Sequence, residues 1–323
     1  MNSKLEITMQ DVWLARKRIE PHVLQTPLHL SEKLGDASHH VYLKLENLHE
    51  TSSFKIRGAA NKMLTLSKAQ QQKGVAAFST GNHGVAVAYM AKQLNIQAVI
   101  CISKRVPLNK VERLERMGAE VVKVGFNQDD AERYAYDLEE TEGFTVIPPF
   151  DDQEIIAGQG TIGLELLHQL PEIDTAIIPV SGGGLFAGIA KVLKHYNPMI
   201  QLIGVSIEKS PVMYESIQSG TIVSLKEEDT LADSLLGGLG EDNQYTFRIC
   251  QALMDQFVLL NEKEIAQGMH YMLKEHQLAV EGAAASSIAG LVSGKINFEG
   301  KQTACIITGR NVAMETILKT CQS

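Results

Sequence analysis

The chain has 323 residues, of which 44% are apolar and 21% charged, and its formal net charge is −8. Such a composition is ordinary for a globular protein, and the length predicts one large domain or two closely joined ones. Because no block of Lys and Arg stands out, we expect neither a nucleic-acid partner nor an anionic membrane surface.

Short β-rich runs alternate with helical patterns along most of the chain. The strands that we predict are, in chain order, 96–102, 119–125, 144–149, 175–180, 202–208, 256–262 and 303–308. Helices are predicted at 108–118, 129–140 and 154–170. This alternation indicates βαβ units, and therefore an α/β fold with parallel sheets. The series breaks at the prolines 148 and 149, which suggests two lobes with a cleft between them as the site.

The N-terminal sequence and the spacing of the cysteines indicate the same cellular compartment. The N-terminus is charged and lacks the apolar core of a signal peptide, and no stretch is apolar enough to span a membrane. The cysteines show no paired spacing, which favours free and mostly buried thiols; they are Cys101, Cys250, Cys305 and Cys321. We therefore expect a soluble cytoplasmic protein.

The segment "ETSSFKIRGAANK" (50–62) places Lys55 between a phenylalanine and an isoleucine, where a loop turns into a helix. Apolar neighbours partly desolvate an amine and lower its pKa from about 10.4, and a neutral amine can form a Schiff base. The alternative is a lysine that reaches solvent from the first turn of a helix. The same segment matches the S-x-x-K motif of serine β-lactamases, but the S-D-N and K-T-G tripeptides are missing, so Ser52 and Ser53 are predicted to be loop and capping residues.

The segment "FSTGNHGVAVAYMAK" (78–92) crowds Ser79, Thr80, Asn82 and His83 into a turn before an apolar helix. Simple N-capping by one of these side chains is one interpretation. Four polar groups beside exposed backbone amides also suit a cradle for a carboxylate. We predict that His83 orients the loop and binds no metal, because no second ligand lies at a suitable spacing.

The segment "VSGGGLFAGIA" (180–190) runs from a strand through Gly182, Gly183 and Gly184 into a helix. Glycines let backbone N–H groups approach an anion closely, and a helix N-terminus favours negative charge, so we predict a phosphate site. A tight turn that binds nothing is the alternative. The pattern Gly182-x-Gly184-x-x-Ala187 with Glu208 after the next strand also matches a dinucleotide fingerprint, so an NAD-dependent dehydrogenase is a rival prediction.

Together, these motifs and "PFDDQEIIAGQGTIGLE" closely resemble, in order and over nearly the whole chain, the threonine dehydratase/serine racemase family of pyridoxal-phosphate enzymes. This family has fold type II, like the β subunit of tryptophan synthase. The resemblance implies two lobes, each an open, mostly parallel twisted sheet flanked by helices. It implies a large cofactor domain of residues 1–67 and 151–323, and a small domain of 68–150 that closes over the substrate. It also implies a homodimer.

The resemblance assigns roles to individual residues. Lys55 would hold pyridoxal 5′-phosphate as a Schiff base and act as the catalytic base, with Phe54 against the ring and Asn82 on the ring hydroxyl. Backbone amides would bind the phosphate at Gly182, Gly183, Gly184 and Leu185. The substrate carboxylate would be received by Ser79, Thr80, Asn82 and His83. Thr308, in "CIITGRN", would contact the pyridine nitrogen; a hydroxyl leaves that nitrogen unprotonated, which favours β-elimination over transamination.

The implied activity is an ammonia-lyase that converts a β-hydroxy amino acid, such as L-threonine or L-serine, to a 2-oxo acid and ammonia. A racemase is the runner-up, because Thr80 stands where serine-racemising members have a catalytic serine. Ser206 and Val212 occupy the positions of a divalent-cation site in some members, so we expect no metal. The segment 232–234 and "TGRN" are similar to a subgroup of hydroxyectoine-utilisation dehydratases. A dehydrogenase is the more distant alternative, since it gives Lys55 no role.

Overall fold

The computed structural model describes residues 6–106, 108–297 and 301–322, without the side chains of residues 109, 321 and 322. Its strands are β1 (Leu28–Gly35), β2 (His40–Lys44), β3 (Val75–Ala77), β4 (Ala98–Ser103), β5 (Glu120–Val124), β6 (Thr145–Val146), β7 (Thr175–Pro179), β8 (Gln201–Ile207), β9 (Gln256–Leu260) and β10 (Gln302–Ile306). They form a six-stranded sheet with the order β1-β2-β10-β7-β8-β9 and a four-stranded sheet with the order β5-β4-β3-β6.

The α-helices of the described ranges lie between and around these strands. They are α1 (Met9–Ile19), α2 (Lys55–Leu64), α3 (Lys68–Lys73), α4 (Asn82–Leu94), α5 (Leu108–Arg116), α6 (Gln128–Glu142), α7 (Gln153–Gln169), α8 (Gly184–Tyr196), α9 (Val212–Ser219), α10 (Thr246–Leu253), α11 (Glu262–His276), α12 (Gly282–Val292) and α13 (Met314–Gln322). Among the residues described, 3₁₀ turns occur at Glu46–Leu48 and Asp233–Leu235.

Every strand pair in the smaller sheet is parallel. In the larger sheet only the edge pair β1–β2 is antiparallel, and the other pairs are parallel. Each sheet is flanked by helices, so the two-lobed fold of mostly parallel sheets that the sequence predicts is confirmed. Parallel strands covered on both faces are apolar throughout, which explains why the runs in 175–180 and 303–308 show no polar alternation.

Alternate residues of each central strand enter different cores, as the period of two requires. In the larger sheet, Ile177 and Cys305 pack towards α11 and α12, whereas Ile178 and Ile306 pack towards α7 and α8. The smaller sheet likewise has one core beneath α4 and another beneath α6. The packing of both faces therefore fixes the position of each strand along its own axis. It thereby fixes where the strand ends, at which the site lies, are placed.

All seven predicted strands and all three predicted helices correspond to observed elements. The predicted strand 144–149 shrinks to Thr145–Val146 because Pro148 and Pro149 cannot donate to a ladder. The predicted strand 256–262 ends at Leu260, because the side chain of Asn261 caps α11 instead. The hairpin β1–β2 and the short strand β3 were not predicted.

All strands of the smaller sheet lie inside the interval 68–150 that the resemblance implies for the small domain. Helix α2 precedes that interval, yet its residues Ile56 and Met63 share a core with Val75 and Ile100. Helix α4, which packs on the smaller sheet, thus also packs on the helix that begins at Lys55. The boundaries themselves stay a prediction.

Two further expectations concern the cysteines and membranes. Cys101, Cys250 and Cys305 are buried and free, which confirms the prediction for them; the side chain of Cys321 lies outside the described part. Within the ranges described, no helix combines the length and apolarity needed to cross a bilayer.

Candidate active site

The predicted site residues meet where strands of both sheets end. Ser79 and Thr80 follow β3, Gly182 follows β7, and Thr308 follows β10. The segment before α2 is held against the last of these: Ser53 forms an antiparallel bridge with Gly309, and the Phe54 N–H donates to the Thr308 carbonyl at 3.0 Å. Carboxyl ends of parallel strands are where α/β proteins bind ligands.

Lys55 is the first residue of α2, and its amine lies inside the protein. Nζ donates to the carbonyl oxygen of Pro149 at 2.7 Å and lies 5.3 Å from the centre of the Phe54 ring. Burial lowers the pKa of Lys55 to about 8, while the charge of Glu281 pulls it upwards. The lowered pKa predicted from the apolar neighbours is therefore confirmed.

The two serines before this lysine do not cap α2, so that prediction was wrong. The N-cap residue is Phe54, which makes no side-chain capping bond. Ser53 Oγ is buried without a partner among the described residues, and Ser52 Oγ accepts a long bond of 3.4 Å from Arg310. The bridge to Gly309 turns the serines away from the helix end.

The glycine turn after β7 is sterically required. Gly183 has a φ of +86°, which L-residues rarely adopt. A Cβ on Gly182 would lie 2.4 Å from the ring of Phe150, and one on Gly184 would lie 2.9 Å from the Phe150 carbonyl oxygen. Phe150 follows Pro149, whose carbonyl binds Lys55. Pro149 and Phe150 therefore contact the lysine and the glycine turn respectively. Leu185 continues the turn into the first residues of α8.

The 78–84 loop folds tightly onto the start of α4. The N-cap is Gly81, which has no side chain, and Ser79 Oγ accepts from the Gly81 N–H at 3.3 Å. A Cβ on Gly84 would lie 1.9 Å from the Ser79 carbonyl oxygen, so only glycine permits this approach. Thr80 is half-buried beside it. Simple capping of α4 by a Ser, Thr or Asn side chain, the alternative interpretation, is not what the structure has.

The helices that begin at the site lack a side-chain cap, as do α9 and α10. Five helices are capped by a side chain, from Thr8, Ser67, Asn127, Asp152 and Asn261. In contrast, α2, α4, α8 and α12 all begin at the site and have no side-chain cap. Their first N–H groups have no partner within the helix, and the helix dipole makes these ends positive. Uncapped ends at α4 and α8 suit a carboxylate and a phosphate.

His83 is a neutral side chain that fastens the loop. Its Nε2–H donates to the Ile147 carbonyl at 2.7 Å, where β6 ends. Burial, and then the charge of Lys55, lowers the pKa of His83 to about 3. The ring therefore carries no charge at physiological pH, and it orients the loop, as predicted.

Sequence reasoning missed three polar residues at the site: Glu281, Asn311 and Arg113. The Glu281 carboxylate is only 3% exposed. It accepts from Asn82 Nδ2 at 2.8 Å and from the Asn311 N–H at 2.9 Å. Burial raises the pKa of Glu281 to about 7. One signal existed, because Glu281 is the only charged residue in the apolar run 278–291.

Thr308 carries an unsatisfied polar atom. Its Oγ1 is buried and has no hydrogen-bond partner in the described part of the chain, and the residue is 3% exposed. Buried hydroxyls are nearly always bonded, so an orphan at a ligand site indicates a missing partner. With the amine of Lys55 and the uncapped turn at Gly183, it forms a set that fits pyridoxal phosphate, which has an aldehyde, a phosphate and a ring nitrogen.

Glu208, the possible ribose partner in a dehydrogenase, is engaged by another side chain. Glu208 pairs with Lys295 at 3.0 Å, and its side chain is half exposed. Ser206 is buried within β8, and Val212 begins α9. Among the residues described, no group of three or more His, Cys, Asp or Glu is arranged to hold a metal ion.

Comparisons with known proteins agree with this chemistry. A family model described as "Pyridoxal-phosphate dependent enzyme" matches residues 19–309. A "Putative threonine dehydratase" of Sinorhizobium fredii is 44% identical over 97% of this chain and 95% of its own length. The L-threonine ammonia-lyase of Thermotoga maritima is 36% identical over 96% of this chain and 77% of its own. The structure of maize serine racemase matches with a TM-score of 0.90 and 32% identity, covering 98% of this chain and 97% of that one.

Proposed function

This chain belongs to the family of pyridoxal-phosphate dependent enzymes, and we propose that it acts as an ammonia-lyase on a β-hydroxy amino acid such as L-threonine or L-serine. The reaction removes the α-proton and the β-hydroxyl, and hydrolysis of the released enamine then gives a 2-oxo acid and ammonia. The similar proteins from S. fredii and T. maritima are both named for lyase chemistry.

The observation that carries this proposal is the unpartnered hydroxyl of Thr308. Thr308 follows β10, and its Oγ1 is buried without a hydrogen-bond partner among the described residues. A hydroxyl can donate to an unprotonated ring nitrogen, whereas a carboxylate there would keep the nitrogen protonated. An unprotonated ring withdraws electrons from Cα less strongly, which suits a reaction in which the β-hydroxyl leaves rapidly. Transamination, which needs a long-lived carbanion, is disfavoured.

The remaining residues would hold the cofactor, which supplies the conjugated electron sink for the electrons left at Cα. We propose that Lys55 attaches it through Nζ, that Phe54 lies against its ring, and that Asn82 binds its ring oxygen. Backbone N–H groups of the turn would bind its phosphate, and they belong to Gly182, Gly183, Gly184 and Leu185. The uncapped start of α8 supports this assignment.

Lys55 would also move the protons. An amine with a pKa of about 8 has a substantial neutral fraction near neutral pH, so Nζ can remove the proton from the substrate Cα. The ammonium that results can protonate the departing β-hydroxyl, which leaves as water. The carbonyl of Pro149 holds Nζ in place at 2.7 Å between these two transfers.

The 78–84 loop would receive the substrate carboxylate. Because Gly81 caps α4 without a side chain, N–H groups of Asn82 and His83 remain for an anion. The hydroxyls of Ser79 and Thr80 lie in the same loop and are half-buried. The neutral ring of His83 would contribute by tethering the loop to Ile147 and not by charge.

One preparation tests the proposal. Purified protein supplied with pyridoxal phosphate should be yellow, and borohydride should fix the cofactor to Lys55, as peptide mass spectrometry would show. L-threonine or L-serine should then give a 2-oxo acid. Lys55→Ala should abolish both results, whereas Lys68→Ala, at an exposed lysine of α3, should change neither. A colourless protein that bound NAD would refute the proposal.

Racemisation is the second candidate, and the likeness to maize serine racemase favours testing it. We propose that Thr80 limits this activity, because its methyl group crowds the position of the catalytic serine in racemases. Chiral analysis of the same reaction mixture decides: D-serine or D-threonine formed faster than the 2-oxo acid would favour the racemase.

Three finer features complete the proposal. We expect a homodimer located in the cytoplasm, with residues 68–150 as a small domain that moves. Light scattering would give the oligomeric state. The likeness of the 232–234 segment to hydroxyectoine-utilisation dehydratases stays a prediction, and comparing turnover of threonine with that of larger hydroxylated amino acids would test it.

A further inference from the structure

A continuous hydrogen-bonded chain of four side chains crosses the site. The Arg113 guanidinium donates to Asn311 Oδ1 at 2.5 Å, and Asn311 Nδ2 donates to Asn82 Oδ1. Asn82 Nδ2 in turn donates to Glu281 Oε1 at 2.8 Å. We name this set the amide chain. It joins α5, the loop after β10, the start of α4 and the start of α12.

The ends of the amide chain give it a direction. A guanidinium can only donate hydrogen bonds, and an ionised carboxylate can only accept them. Each amide between them must therefore turn its oxygen towards Arg113 and its nitrogen towards Glu281. An asparagine amide accepts through its oxygen and donates through its nitrogen, so a donor at one end and an acceptor at the other favour one of its two orientations.

Glu281 and Asn311 are also held by contacts outside the amide chain. Glu281 Oε2 accepts from the Asn311 N–H at 2.9 Å, and the Glu281 N–H donates to the Gly309 carbonyl at 3.2 Å. A Cβ on Gly309 would lie 2.8 Å from Glu281 Oε1, so the glycine leaves room for the carboxylate. Asn311 Nδ2 also donates to the Thr51 carbonyl at 3.0 Å. The orientation of Asn82 is thus imposed by residues distant in sequence.

The orientation decides what Asn82 offers a ligand. One Nδ2–H is used by Glu281, and the other has no partner among the described residues. Its Oδ1 is engaged by Asn311. The side chain can therefore present an unused N–H to a ligand, while its Oδ1 faces Asn311. An N–H stabilises an ionised ring oxygen of pyridoxal phosphate, whereas a carbonyl would repel it.

We propose that Glu281 and Arg113 are positioning residues of the enzyme, which act through Asn82 to keep the ring oxygen of the cofactor ionised. This inference rests on the proposed function. It adds two residues to the site, and Arg113 belongs to a helix that packs on the smaller sheet. Whether the ring oxygen of the cofactor is ionised would thus depend on the amide chain, which links Arg113 on α5 to Glu281 at the start of α12.

The test compares Glu281→Gln, Arg113→Met and the double variant with the parent protein. Arg116→Met is the matched control, because Arg116 lies on the same helix and is exposed, beside Glu112. The main readout is the absorption of the bound cofactor, whose ionised form absorbs in the visible range and whose neutral form absorbs in the near ultraviolet. The second readout is kcat and KM for the turned-over amino acid.

We expect both single variants to shift absorption towards the near ultraviolet and to lower kcat about tenfold, with KM changed less than threefold. The double variant should be no worse than the poorer single variant, because both act on one amide. Arg116→Met should match the parent. Parent-like spectra in Arg113→Met and Glu281→Gln, or additive losses in the double variant, would overturn the proposal.

Folding failure and failure of the proposed function remain distinguishable. If Glu281→Gln does not fold, Arg113→Met still tests the amide chain, since Arg113 is only partly buried. Borohydride should still fix the cofactor to Lys55 in every folded variant. If it does not do so in the parent protein, the proposed function fails and not the role of the amide chain.

Discussion

At the scale of single residues, the site depends on groups that burial leaves in unusual states. Lys55 is an amine held partly neutral by desolvation, and His83 is an imidazole held neutral at all physiological pH values. Thr308 is a hydroxyl with no partner in the described part of the chain. Each state is unfavourable for the protein alone, and each is one that a cofactor or a substrate could use.

The pKa of Lys55 predicts a pH dependence for cofactor capture. Only the neutral amine attacks an aldehyde, so the rate at which apoprotein takes up pyridoxal phosphate should rise with pH and reach half its maximum near pH 8. Stopped-flow absorbance would measure it. A midpoint near 10.5, the value of an ordinary lysine, would contradict the role of burial.

The same shift has a consequence for the stability of the apoprotein. Between about pH 8 and 10.5 the unfolded chain binds one proton more than the folded chain at Lys55. The free energy of unfolding should therefore rise with pH across this window, and Lys55→Met should remove that contribution. Urea unfolding at several pH values would give this free energy. The prediction is contradicted if the free energy of unfolding changes with pH equally in both proteins.

Thr308→Val should have opposite effects on stability and on catalysis. Removing a buried, unsatisfied hydroxyl should raise the free energy of unfolding of the apoprotein by about 1 kcal/mol. Losing the donor to the ring nitrogen should lower kcat about tenfold. Thr308→Ser keeps the hydroxyl and serves as the control. Parent-like kcat in Thr308→Val would argue against a contact with the cofactor.

At the scale of elements, α4 and α8 start at the site behind glycine N-caps. These residues, Gly81 and Gly183, offer no side chain to the first N–H groups of their helices. Helices away from the site, such as α1 and α11, are closed by capping boxes from Thr8 and Asn261. A capping side chain at Gly183 would compete with a phosphate for the same donors.

A pair of glycine variants separates backbone strain from ligand binding. Gly183 precedes α8 and Gly220 follows α9. Both glycines have a positive φ, of +86° and +75° respectively. Alanine at either position should lower the free energy of unfolding by about 1–2 kcal/mol, and more at Gly183, where Cys250 Sγ would lie 2.8 Å away. Only Gly183→Ala should weaken cofactor binding, by at least about tenfold. Equal affinities in fluorescence titrations of both variants would contradict the phosphate site.

At the scale of the whole molecule, a buried ionic cluster ties the chain together behind the site. Arg57, two residues after Lys55, bonds Glu46 at 2.7 Å and Glu165 at 2.7 Å. Lys44 also bonds Glu165, at 2.5 Å. Burial would raise the pKa of Glu46, but Arg57 and His49 hold it well below its usual range. The cluster joins β2, α2 and α7, so it fixes how α2 presents Lys55.

Breaking this cluster should destabilise the molecule strongly. Arg57→Met removes the guanidinium that two buried carboxylates share, leaving Glu165 with Lys44 and Glu46 with His49. We expect a loss of about 3–5 kcal/mol in the free energy of unfolding. Arg133→Met, which removes an exposed pair with Asp130, should cost less than about 1 kcal/mol. Thermal unfolding of the holoprotein would compare them, and similar melting temperatures would show that the cluster is not needed.

Most of the fold was predictable because its signals are local. The apolar runs of the central strands and the turns that follow them appear within a few residues of sequence. The strand β3 has only three residues, two of them alanine, and so shows no distinctive β pattern. Strand β1 lies at the edge of its sheet and is mostly exposed, so its sequence carries no continuous apolar run.

The sequence by itself determined the local chemistry of the site: a lysine among apolar neighbours, a glycine turn before α8 and a polar loop before α4. Backbone conformation depends on neighbouring residues, so such motifs can be read directly. Only the tertiary structure decided which distant groups complete them. Asn82 and Glu281 are 199 positions apart, and Arg57 and Glu165 are 108 apart. Burial and hydrogen bonding between such residues exist only once both sheets have packed.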